Sequence, residues 1–229
     1  MNTSRLSPRD LAVIRSVRLL SQVTTAQLQR LHFSEPETSP VSRPGRTRRA
    51  LRRLVVAGEI ARVETRGIGH HIGGSDSYTY TPPRRTARVR KPHTVDVAEL
   101  YVRLRGEEVA GRCRMLEFAC ENLFVEGRKN KVDAYVWLET SAGRSDWYIE
   151  VDRGSEDRDD IKAKVRAYTV AARKRNPFPR VLFVVTYNYE RPLEDQVALI
   201  KSVIKRAEFP EMFGVCMSFD EAIAALCGP

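Results

Sequence analysis

Apolar positions recur at helical spacing three times in the first sixty residues. Ser7-Pro8 sets an N-cap before a proline at the first helical position, and Leu11, Ile14 and Val17 carry an apolar stripe to about Leu20. Thr24, with Gln27 three residues on, is a capping-box pattern; it opens a short second helix through about His32, with Leu28 and Leu31 facing inward. A polar, proline-containing loop follows. A third helix is predicted over 44–57, with Leu51, Leu54 and Val55 on its buried face and Gly58 as the left-handed stop. Residues 60–66 and 77–81 then read as two strands around a glycine-rich loop holding His70 and His71. Three helices followed by a hairpin is the order of a winged helix-turn-helix.

Residues 82–92 break the periodicity with three prolines and a run of arginines and a lysine, the pattern of an extended basic linker. Beyond it, Val97, Leu100, Tyr101 and Leu104 mark a helix over 96–105, and short strands follow at 113–118, 131–138 and 147–151. Gly143 lies between the last two, which predicts a hairpin. A polar helix over 157–175, a strand at 181–185, a helix over 193–207, a strand at 213–217 and a helix over 219–226 complete the chain. The order αβββαβαβ predicts a mixed sheet with helices on its faces, so the fold class is α/β (α+β). The expected domains are 1–81, a winged helix-turn-helix; 82–92, the linker; and 93–229, the α/β domain.

Charge changes the picture more than composition does. The 229 residues carry a formal net charge of +10, but residues 1–95 hold 18 Lys and Arg against 6 Asp and Glu, whereas residues 96–229 hold 21 against 23. The excess belongs to the first domain, as expected of a module for a polyanion joined to a near-neutral module with another task. At 42% hydrophobic and 30% charged residues the chain is not globally disordered, and no apolar run approaches the roughly 18 residues of a membrane span. The first twenty positions include Arg5, Arg9, Asp10, Arg15 and Arg18 in place of a signal-peptide apolar stretch, so the expected location is the cytoplasm. Cys113, Cys120, Cys216 and Cys227 form no CxxC pair and read as buried thiols, a single disulfide being the alternative.

Arg43, Arg46, Arg48, Arg49, Arg52 and Arg53 fall in or just before the third helix, largely away from its apolar face, and no acidic residue lies between Val41 and Ala57. Such a surface repels itself unless counter-charge arrives from outside. Planar guanidinium suits phosphate oxygens and guanine edges, so the expected partner is duplex DNA, the alternative being a solvated positive face. His70 and His71 lack a neighbouring carboxylate or thiol and read as solvated loop residues; wing-tip contacts or a metal pair are the alternatives.

In the second domain, alternation puts Asp133, Tyr135 and Trp137 on one face of a strand and Tyr148, Glu150 and Asp152 on one face of its hairpin partner. A turn near Ala142-Gly143 sets Asp133 opposite Glu150 or Asp152. Paired acids among Val, Ile, Trp and Tyr need compensation. Either Mg²⁺ supplies it, or Lys162, Lys164 or Arg166 of the next helix does so in a structural ion pair.

Several blocks resemble the replication-relaxation family: Leu6-Ser7-Pro8-Arg9-Asp10-Leu11, Val23-Thr24-Thr25-Ala26-Gln27-Leu28, Ala50-Leu51-Arg52-Arg53-Leu54, His93 to Tyr101, Lys131-Val132-Asp133-Ala134-Tyr135, Tyr148-Ile149-Glu150-Val151-Asp152-Arg153-Gly154-Ser155 and Lys164-Val165-Arg166-Ala167-Tyr168. The resemblance covers roughly residues 5–170, and the Glu-Val-Asp-Arg-Gly block with the Lys-x-x-x-Tyr spacing is its most specific part. It implies a protein of plasmids, phages or other mobile elements linked to plasmid replication and DNA relaxation; the leading expectation is a DNA-binding protein acting in the element's replication or transcriptional control. The second half is also similar to the PD-(D/E)xK nuclease core of restriction endonucleases, which would map the two acids to Asp133 and Glu150. The motif lysine is replaced by Asp152, and Lys164 could stand in for it. That similarity implies Mg²⁺ at Asp133 and Glu150, with Asp133, Glu150, Asp152 and Lys164 as catalytic candidates for a nickase or endonuclease. If the nuclease fold is degenerate, it would serve as a scaffold or as the surface of a homodimer.

Overall fold

The computed structural model describes residues 6–34, 39–63, 78–83, 91–123, 132–175, 177–186 and 192–228. The chain divides into two units, Met1–Val102 and Arg103–Pro229. The predicted wing loop, with His70 and His71, and most of the basic linker lie outside the described residues.

The first unit runs α1 (Pro8–Leu20), β1 (Val23–Thr24), α2 (Thr25–His32), α3 (Arg43–Val56), β2 (Ala61–Val63), β3 (Thr79–Thr81) and the opening turns of α4 (Pro92–Val109). Both predicted caps form. The Ser7 hydroxyl accepts from the Asp10 backbone N–H at 3.2 Å while the Ser7 N–H donates to the Asp10 carboxylate at 3.0 Å, and Thr24 and Gln27 make the same reciprocal pair at 3.2 and 3.0 Å. Gly58 takes φ +73°, a left-handed conformation at the end of α3 that a Cβ would strain. The buried stripe of α1 is Asp10, Val13, Ile14, Val17 and Leu20; Leu11, expected on it, is 43% exposed because Asp10 turns inward instead. The sheet order is β1-β3-β2, all antiparallel. β1 has only two residues, too few to show a period, and was not foreseen.

Gln27 does more than cap. Its side-chain amide donates to the Val95 carbonyl at 3.0 Å and to Glu99 at 3.2 Å, and Arg30 meets Glu99 at 2.7 Å, so α2 is bonded to the first turns of α4.

The second unit holds β4 (Cys113–Leu123), β5 (Val132–Thr140), β6 (Gly143–Asp152), α5 (Arg158–Ala172), β7 (Arg180–Val185), α6 (Leu193–Ile204), β8 (Phe213–Cys216) and α7 (Phe219–Cys227). Its sheet order is β4-β5-β6-β7-β8: the β4-β5-β6 meander is antiparallel, and β7 and β8 add in parallel after α5 and α6. This is the mixed α+β architecture expected. Trp147, Ile149 and Val151 alternate with Tyr148, Glu150 and Asp152 along β6. Tyr148, Glu150 and Asp152 pair with Val181, Phe183 and Val185 of β7, whose side chains form a core with Ile161, Val165 and Tyr168 of α5 and with Ile200 and Val203 of α6. Asp157 caps α5, accepting from the N–H groups of Asp159 and Asp160 at 2.8 and 2.9 Å. Cys113, Cys216 and Cys227 are buried free thiols and Cys120 is half-buried. Among the described residues, no helix is long and apolar enough to cross a membrane.

Candidate functional site

Helix α3 presents its arginines by simple geometry. Thr47, Ala50, Leu51 and Leu54 are buried, which leaves Arg48, Arg49, Arg52 and Arg53 exposed and Arg43 and Arg46 half-buried near the start of the helix. Arg49 and Arg52 make no ion pair with any described residue. Arg53 does: its guanidinium donates to Asp10 at 2.5 Å, and the Asp10 side chain is only 6% exposed. Burial pushes the Asp10 carboxyl up, but hydrogen bonds from Ser7 and Arg53 outweigh it and hold the group below the usual carboxylate range. Sequence grouped Arg53 with the other arginines of the face. In the fold it ties α3 to the N-terminus of α1. A groove lined by Arg9, Arg46, Arg49, Arg53 and Phe33 opens beside that contact, with the Arg9 guanidinium 5.4 Å from the Phe33 ring centroid.

The four acid and lysine candidates of the second unit are neighbours. β5 and β6 pair Ala134 with Ile149, which continues to Asp133 opposite Glu150. The Asp133 carboxylate accepts the Val151 N–H at 2.8 Å. Glu150 is wholly buried; one carboxylate oxygen accepts the Tyr168 hydroxyl and the other lies 2.8 Å from the Lys164 ammonium. Lys164 also contacts Glu156. Burial draws the Lys164 ammonium down, but Glu150 and Glu156 more than reverse this and raise it above the ordinary lysine value. Glu156 moves up too, burial prevailing over the attraction of Lys164. Asp152, 1% exposed, accepts from the Gly154 N–H at 2.7 Å with one oxygen and from the Gln196 amide at 2.6 Å with the other.

As the side chains stand, the two metal candidates face protein groups: Asp133 accepts the Val151 N–H, and Glu150 meets the Tyr168 hydroxyl with one oxygen and the Lys164 ammonium with the other, while both oxygens of Asp152 accept hydrogen bonds. Among the described residues no three His, Cys, Asp or Glu side chains are placed to share a metal ion. Compensation of the paired acids comes from Lys164, one of the three cations named for that role from sequence.

Sequence reading gave three members of the network no role. Tyr168 was within reach, since Lys164 and Tyr168 are four apart and share one face of α5. Gln196, a buried amide on an otherwise apolar helix face, carried a weaker signal. Glu156 sits before the helix and carried none.

The molecule is thus an α+β protein of two units, one presenting an arginine-rich helix and the other closing its acids into a buried ion-pair network. Residues 81–181 match the family described as replication-relaxation, which supports assignment to that family. The match takes in Asp133, Glu150, Asp152, Lys164 and Tyr168 and begins after α3. No curated protein and no solved structure matches the chain.

Proposed function

We propose that the chain is a DNA-binding protein of a mobile element, acting in its replication or transcriptional control, with the first unit a winged helix that sets α3 in the major groove. The observation that carries the reading is the exposed, acid-free arginine face of α3, where Arg49 and Arg52 have no ion-pair partner among the described residues. The order α1-β1-α2-α3-β2-β3 and the sheet order β1-β3-β2 support it, since a short strand between the first two helices joins the hairpin in that fold. The replication-relaxation match supports the link to replication.

Arg48, Arg49 and Arg52 project from one side of α3 and make phosphate and guanine-edge contacts. Arg53, bound to Asp10, is a positioning residue that fixes the angle of α3 on α1. Binding is strongly salt-dependent, because each phosphate contact releases condensed counterions. The test is anisotropy with labelled duplexes at moderate salt. The Arg49→Ala/Arg52→Ala variant loses affinity on the order of tenfold or more; affinity unchanged for every duplex overturns the reading. Supercoiled plasmid with Mg²⁺ or Mn²⁺ probes the competing activity. Nicking that disappears in Asp133→Ala and Glu150→Ala would replace this proposal with a metal-dependent nickase.

A further inference from the structure

The outer face of α5 carries Arg158, Lys162, Arg166 and, at its C-cap, Arg173, spaced by four, four and seven residues and therefore aligned along one side of the helix. All four are exposed. With Arg206 beyond the end of α6 they line a groove of about 520 Å³ between the two helices, and Glu208 is its one acidic lining residue. The floor is apolar, formed by Val165, Val170 and Val203. Arg173 is paired with Glu208 and Lys162 with Asp159 at 2.9 Å, but Arg166 and Arg206 make no ion pair among the described residues.

Like charges four apart on a helix cost stability. Here two such steps, Arg158 to Lys162 and Lys162 to Arg166, follow one another. They stand in the part of the chain where acids slightly outnumber bases, so the positive charge is gathered on one face against the local trend. From Arg158 to Arg173 the stripe runs about 22 Å along the helix axis, the length of roughly six nucleotide steps. The cations stand about 6, 6 and 10 Å apart along the axis, and a phosphodiester strand, charged at every step, can meet them without being built to match, whereas an acidic side-chain cluster would have to be. The apolar floor suits deoxyribose.

We propose that the α5–α6 groove is a second DNA-binding surface, one that holds a phosphodiester backbone without reading sequence. It takes its ligand class from the function proposed above but not its site, since none of these residues belongs to α3. Arg166 and Arg206 make the central contacts, and Arg173 exchanges Glu208 for phosphate.

The test uses the full chain and random-sequence DNA, both duplex and single-stranded, with anisotropy read across a salt series. Lys162→Ala/Arg166→Ala is compared with Arg49→Ala/Arg52→Ala and with the combined variant, and thermal melts check folding. The α5 variant is expected to weaken binding on the order of tenfold and to lower the slope of log K against log salt by about 1.8 on duplex and about 1.4 on single strands, two phosphate contacts at about 0.9 or about 0.7 each. The conservative pair Lys162→Arg/Arg166→Lys retains the parent slope. Equal losses on both DNA forms mark backbone contact; loss on one form alone assigns the groove to that form. An α5 variant with parent affinity and slope, beside an α3 variant that has lost binding, overturns the second surface and leaves the proposed function standing. The converse pattern keeps the groove and removes α3 as the reading element. A parent chain that binds neither DNA form overturns both.

Discussion

Replacing Lys164 by methionine tests whether the acids of the second unit are held by charge pairing. The ammonium lies 2.8 Å from a Glu150 carboxylate that has no solvent exposure, and only 12% of the lysine side chain is exposed. At an effective dielectric of about 20 the raw attraction at that distance is about 6 kcal/mol. Desolvation of two ions consumes several kcal/mol each, so the intact pair adds little net stability. Breaking it is another matter. Lys164→Met leaves Glu150 with the Tyr168 hydroxyl but no counter-charge, and such one-sided removal costs about 3–5 kcal/mol. At about 2–4 °C per kcal/mol for a chain of this length, the melting transition of the second unit falls by roughly 6–20 °C.

The assay is calorimetry with urea unfolding, on Lys164→Met, Glu150→Gln and the double variant. Glu150→Gln leaves Lys164 its contact with Glu156 and should cost less than Lys164→Met. The double variant should fall short of the summed single losses by about 0.5–3 kcal/mol, the range for contacting residues in one network. A Lys164→Met transition within about 2 °C of the parent, or single losses that simply add, refutes the pairing.

Asp10→Asn should cost about 1–3 kcal/mol through the charged bond to Arg53. Because the folded Asp10 pKa lies below 3.8, its contribution is present above that pH and lost as pH falls through the folded value, so acid titration of the variant shows a flatter low-pH limb. At the other end, burial and the neighbouring Asp146 push the Tyr135 hydroxyl up to about 12 from 10.0; the unfolded chain releases this proton first, and stability falls as pH rises from 10.0 towards about 12. Tyr135→Phe removes that dependence from alkaline melts, and an unchanged slope in the variant refutes it.

How much of this was legible in the sequence follows from separation along the chain. Caps at Ser7, Thr24 and Gly58 involve residues within a turn of one another, and the structure forms all three. The register of Asp133 was legible to within two residues, Glu150 or Asp152, because a tight turn fixes it; the observed pairing of Thr140 with Gly143 places the turn at Ser141-Ala142, one residue earlier than expected, and selects Glu150. The pairing of Arg53 was not legible because Asp10, its partner, lies 43 positions away, and no local rule says which arginine of an exposed row will find an acid. For Glu150, three cations stood within helical reach. Burial decides among them: Lys164 shares the face of Ile161, Val165 and Tyr168, whereas Lys162 and Arg166 point outward.

That same division separates the two kinds of charge in this molecule. Charges facing the sheet are paired inside their own unit, Glu150 by Lys164 and Tyr168 and Asp152 by Gln196 and Gly154, so they tie α5 and α6 to β6. Arg49 and Arg52 on α3, and Arg166 and Arg206 beside the α5–α6 groove, have no such closure among the described residues, and their mutual repulsion falls only when anions come from elsewhere. The proposal that this chain binds a polyanion rests on that contrast, between buried acids paired within their unit and these four guanidiniums without an ion-pair partner among the described residues.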